Sequence, residues 1–178
     1  MYFVYKIDPR RNAVVGRFRL RSTVIDLVGD GASLWITGWY AVAKLSEAGR
    51  PLFRLPITGS GWSITPVRDG VWVAHTFYGT RRDRPPPPAQ RLLRVRESAK
   101  PRLMVLELDA SPWEVSAAAG AVWVALGEYS HEVQRVRDAR TLSSPTKVRI
   151  PGVVHGLAAT GDGAWVSQVT PNQLSRIC

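Results

Sequence analysis

Gly120-Ala121-Val122-Trp123-Val124 places a glycine turn directly before a tryptophan set in a run of small and β-branched residues. The phrase returns as Gly31-Ala32-Ser33-Leu34-Trp35-Ile36, Gly70-Val71-Trp72-Val73 and Gly163-Ala164-Trp165-Val166. Glycine suits the turn, and β-branched residues with an aromatic among them suit a half-buried strand. Successive tryptophans are 37, 51 and 42 residues apart. Self-similarity at a period of about 40–45 residues marks a repeat architecture built from one sheet per unit.

A second repeat runs in step with the first. It reads aliphatic–any–basic–aliphatic: Val4-Tyr5-Lys6-Ile7, Val42-Ala43-Lys44-Leu45, Leu92-Leu93-Arg94-Val95, Val133-Gln134-Arg135-Val136 and Leu174-Ser175-Arg176-Ile177. Each is a period-2 strand. Alternating segments also precede each Trp turn, as in Trp62-Ser63-Ile64 and Trp113-Glu114-Val115, and follow most of the basic strands, as in Leu52 to Ile57 and Thr146 to Ile150. Four strands per unit result: A, B with the Trp, C with the basic residue, and D. No segment carries a 3.6-residue apolar period long enough for a helix.

The chain is therefore expected to be an all-β propeller of four-stranded antiparallel blades, about four to four and a half of them, forming an incomplete arc of a larger ring. Residues 1–178 form one domain, with a half-blade over 1–20, blades over 21–57, 58–108 and 109–150, and an incomplete blade over 151–178. An Arg/Pro-rich insertion, 79–90, accounts for the 51-residue spacing. The count of about seventeen strands exceeds four blades. A small closed ring, with the first D strand completing the last blade, is the structural alternative. The four tryptophans are read as packing residues, since one buried Trp removes roughly 150–250 Å² from water.

Tyr5-Lys6-Ile7-Asp8-Pro9 with Asn12-Ala13-Val14-Val15, followed by Gly-x-x-Trp-Val turns, resembles the YncE-like and virginiamycin B lyase-like bacterial propellers over nearly the whole chain. Later units depart from the pattern, with Ser46, Arg96, Arg137 and Cys178 where the first has Asp8. The resemblance implies a propeller and leaves function to the loops. In its lyase branch it implies a metal, glutamates and a histidine on one face. Glu128, His131 and Glu132 are the nearest match, yet their spacing differs from the Glu-x-His pattern of that branch. Mg²⁺ belongs to this alternative alone, and no cofactor is otherwise expected.

In a propeller the A strands line the central channel, and the D–A and B–C loops share one rim. Ten residues before each Trp stand Ile25, Trp62, Trp113 and His155; the next positions are Asp26, Ser63, Glu114 and Gly156. Aromatic walls with a few polar groups are the usual recipe for a ligand pocket. The B–C loops add His75, Tyr78 and Tyr129. The candidate ligand-binding set is thus Trp62, Trp113, Glu114, His155, His75, Tyr78 and Tyr129, on a non-enzymatic module that binds a small molecule or a protein.

The net charge is +10, and 20 of the 24 basic residues are arginines scattered through every unit. Scatter gives a weaker electrostatic footprint than a patch. Arg81, Arg82 and Arg84 beside Pro85–Pro88 form the one cluster. They are the candidate anion-binding residues, with nucleic acid ranking behind a small molecule or protein as partner. The sole cysteine, Cys178, excludes an internal disulfide. No membrane span and no signal peptide are visible, and the resemblance leaves a secreted, periplasmic or extracellular-sensor origin open. Open sheet edges also offer self-association.

Overall fold

The computed structural model describes residues 2–77, 90–127, 130–137, 146–169 and 172–178. Every regular element among them is a strand: β1 Tyr2–Asp8, β2 Ala13–Leu20, β3 Asp26–Gly29, β4 Ser33–Ser46, β5 Pro51–Val67, β6 Gly70–Thr76, β7 Gln90–Arg96, β8 Arg102–Glu107, β9 Pro112–Ala118, β10 Ala121–Leu126, β11 Glu132–Arg137, β12 Thr146–Arg149, β13 Val154–Thr160, β14 Gly163–Gln168 and β15 Gln173–Ile177. All ladders are antiparallel.

The sheet β9-β10-β11-β12 is a complete blade in A-B-C-D order. Blades 1 and 2 appear as one six-stranded sheet because two of its runs carry two strands each. In β4, residues 34–37 pair with β3 while 41–45 pair with β5. Nine extended residues span about 30 Å, yet Lys44 Nζ sits 4.8 Å from the centre of the Trp35 ring. The chain must therefore reverse between them, and Tyr40, at φ +64°, marks the turn after Trp39. In β5, residues 51–56 complete blade 1, and 60–67 open blade 2. Blade 4 holds strands A to C (β13-β14-β15), and β1-β2 is the opening half-blade. The blade count and the arc agree with the sequence repeats. The closed-ring alternative needs β2 on the edge of β15, but β2 pairs only with β1 and lies in a separate sheet.

The core lies between blades. Trp35 packs with Ile64, Val71, Val73 and Leu93 of blade 2. Trp72 packs with Val115, Val122 and Val124 of blade 3. Trp123 packs with Leu157, Ala164 and Val166 of blade 4. These three rings are 0%, 5% and 1% exposed, while Trp165, whose blade is the last, is 39% exposed. Removing roughly 200 Å² per ring from water contributes on the order of 5 kcal/mol gross.

The two sequence repeats meet in this core. Lys44, Arg94, Arg135 and Arg176 each lie over the Trp of their own blade, at 4.8, 5.6, 5.2 and 6.0 Å from the ring centre. A carboxylate in the A–B turn holds three of these cations: Asp30 with Lys44, Asp69 with Arg94 and Asp162 with Arg176. Asp30 is the best embedded. Its burial would raise the carboxyl pKa, but hydrogen bonds from Ser33, Trp35 and Lys44 outweigh that and hold it well below the usual range. Four of the 24 basic residues thus have a structural role.

Candidate functional site

The positions ten and nine residues before each Trp fall on the first residues of the A strands or just before them, so blade repetition stacks them around one mouth. The structure gathers Ile25, Asp26, Trp62, Ser63, Trp113, Glu114 and His155 into a single open cavity of about 430 Å³. All four blades contribute. The Trp62 and Trp113 rings lie 5.5 Å apart at 30°, forming the aromatic wall. His155 is exposed at the lip. No lysine or arginine lines this cavity among the described residues, although the chain carries 24.

The polar positions do structural work as well. In the first three blades the side chain nine residues before the Trp accepts a hydrogen bond from the next blade's A strand. Ile64 N–H donates to Asp26 Oδ2 at 2.9 Å, Val115 N–H to Ser63 Oγ at 3.3 Å, and Leu157 N–H to the Glu114 carboxylate. Gly156 ends this ladder, having no side chain to accept. Sequence reasoning missed the ladder, whose signal was a short polar or acidic residue in three of four equivalent places.

Glu114 is the chemically distinctive member. Burial pushes its carboxyl pKa up to about 7; the Leu157 N–H opposes that rise and the Asp26 carboxylate adds to it. Its Oε2 is buried without a hydrogen-bond partner among the described residues. Near neutral pH the group can therefore present either a proton or a negative charge to whatever enters the cavity.

His75 is not at the mouth. It is 1% exposed, and its Nε2 bonds the Thr58 carbonyl at 2.7 Å, while burial depresses its pKa. From β6 that ring points inward, to the Thr58 carbonyl. His131 is exposed and Glu132 partly buried at the start of β11, and neither lines the cavity. Tyr78, Arg81, Arg82, Arg84, Glu128 and Tyr129 lie outside the described residues. Among the described residues no group of three or more His, Cys, Asp or Glu converges as a metal site, and no helix is long and apolar enough to cross a membrane.

Blades of four antiparallel strands packed face to face, with A-strand entrances around a shared mouth, define a β-propeller-type protein. Solved structures of this type share the fold at low sequence identity. A catalytically inactive virginiamycin B lyase from Staphylococcus aureus with quinupristin matches at TM-score 0.75 and 14% identity, covering 98% of this chain and 59% of its own. Kuenenia stuttgartiensis hydrazine synthase matches at TM-score 0.78 and 12% identity, covering 98% and 64%. BBS1N in complex with ARL6DN matches at TM-score 0.66 and 15% identity, covering 94% and 56%. The chain thus spans less than two thirds of the length of each. No family model matches the sequence, and no curated protein matches it.

Proposed function

We propose that this chain is a binding module whose ligand enters the cavity at the A-strand entrances. One observation carries the reading: four separate blades converge Asp26, Trp62, Trp113, Glu114 and His155 on one concave surface, with two indoles side by side. Aromatic faces supply contact area, and a few convergent polar groups fix orientation. BBS1N, solved with ARL6DN, and a propeller solved with the Atg16 coiled coil are fold neighbours seen with protein partners. A small molecule fits the size of the cavity better, and a protein partner would use the surrounding rim.

The test is NMR of the tryptophan indole N–H signals while aromatic fragments are titrated in. Binding should move the Trp62 and Trp113 signals, assigned through their Phe variants, and leave those of Trp35 and Trp123 still. Uniform shifts, or none for any fragment, would remove the cavity as a binding site.

A further inference from the structure

We propose, resting on the binding reading above, that the mouth cavity takes an organic cation: a primary ammonium group carried on an apolar or aromatic body, seated against Trp62, Trp113 and the Glu114 carboxylate. Two observations on different residues point to this chemistry.

The first is the pair of indoles. Trp62 and Trp113 lie 5.5 Å apart at 30°, and both are partly exposed. An indole face attracts a cation through the quadrupole of its ring. This chain already uses that contact in every blade, where Lys44, Arg94, Arg135 and Arg176 stand between 4.8 and 6.0 Å from the strand-B rings. Trp62 and Trp113 instead turn toward a cavity whose charged side chains, among the described residues, are the carboxylates Asp26 and Glu114.

The second is the acceptor chemistry of the polar wall. Asp26 commits both carboxylate oxygens to backbone donors, Leu27 N–H at 2.8 Å and Ile64 N–H at 2.9 Å. Ser63 Oγ accepts from Val115 N–H at 3.3 Å. Glu114 differs. Leu157 N–H reaches its carboxylate, but Oε2 is buried with no hydrogen-bond partner among the described residues. A carboxylate oxygen so placed is stabilised by an N–H donor, and most strongly by a charged one. Asp26 adds its own attraction for a cation at this wall, since its charge is felt at Glu114 and helps to raise that pKa.

Titration of the whole chain with benzylamine and with benzyl alcohol, its uncharged counterpart of the same shape, tests the proposal through the Trp62 and Trp113 indole N–H signals. At pH 8 the protonated amine should bind about tenfold more tightly than the alcohol. A net charge of +10 by itself repels the amine, so such a preference is local. Glu114→Gln keeps the shape of the wall and should remove most of the preference at pH 8 by weakening the amine alone. At pH 5 the natural Glu114 already holds its proton, and the two chains should bind the amine equally. Asp26 and His155 also face the cavity, but they are common to both chains and cancel in that comparison.

Equal binding of amine and alcohol at pH 8 overturns the cation assignment, as when an arginine of the chain already occupies Glu114, and leaves the cavity a binding site. Binding of uncharged aromatic fragments without the amine has the same meaning. A preference for the amine that survives undiminished in Glu114→Gln overturns the seat on Glu114. Indole signals unmoved by every fragment overturn the binding reading itself, and this proposal with it.

Discussion

Trp62 and Trp113 stand 51 residues apart in the chain, yet their rings lie 5.5 Å from one another at the mouth of one cavity. Each ring is partly exposed, unlike Trp35, Trp72 and Trp123, which close the inter-blade cores. Indole faces left open to solvent beside polar groups are available to a ligand in a way that core tryptophans are not.

Trp113→Ala should therefore weaken fragment binding at the mouth by roughly tenfold or more, since an aromatic contact contributes about 0.5–1.5 kcal/mol beyond the area it buries. Stability should fall less than on truncating a core ring. Paired binding and urea-unfolding measurements decide the matter. A large loss of stability with unchanged affinity would make Trp113 a packing residue.

The core tryptophans should separate by blade. Trp123→Ala is expected to cost about 3–5 kcal/mol, the usual range for emptying a large aromatic site. Trp165→Ala should cost about 1 kcal/mol, because that ring is already 39% exposed and its truncation leaves little cavity. Equal losses in chemical denaturation would mean that the last blade is packed like the others.

Glu114 gives stability a pH signature. A carboxyl raised to about 7 in the fold keeps its proton while the unfolded chain, near 4.5, loses its own. The native state then binds more protons, so stability falls as pH rises from about 4.5 to about 7 and levels off above. Glu114→Gln keeps an acceptor for the Leu157 N–H and removes the titration. It should be the more stable form at pH 8 by roughly 1–3 kcal/mol and nearly equal to the natural chain at pH 4. Parallel pH profiles of the urea midpoints would contradict this origin.

Asp30 works with the opposite sign. Its carboxyl is held below the ordinary range, so its contribution is full above about pH 4 and is lost as pH falls through the depressed value. Asp30→Asn should destabilise the chain by roughly 1–3 kcal/mol at pH 7, the cost of removing a hydrogen-bonded charge partner from the buried Lys44. That difference should shrink in acid. A constant difference from pH 7 to pH 2, followed by thermal unfolding, would assign the effect to packing.

Much of this architecture was legible because each repeat carries its own phase marker. A Trp on strand B fixes the register of its blade, and period-2 alternation fixes which neighbours face the same way. Counting ten and nine residues back from each Trp therefore reached Trp62, Trp113, Glu114 and His155. The assignment of His75 to the rim with the B–C loop failed. Whether a residue near the end of strand B points to the rim or beneath it depends on which neighbouring carbonyl it meets, here Thr58. The inter-blade ladder from Asp26, Ser63 and Glu114 was hidden for a related reason. A short polar side chain looks the same in sequence whether it faces solvent or the next blade's backbone.

By itself the sequence determined the strand alternation, the four-strand unit, the number of units and the recurrence of one basic strand per Trp unit, because all are local or periodic. Tertiary structure alone decided the seating of each basic residue over its Trp, the rise of the Glu114 pKa and the burial of Trp123 against the openness of Trp165. The last two depend on what the adjoining blade places opposite, and that neighbour lies some 40 residues away in the chain.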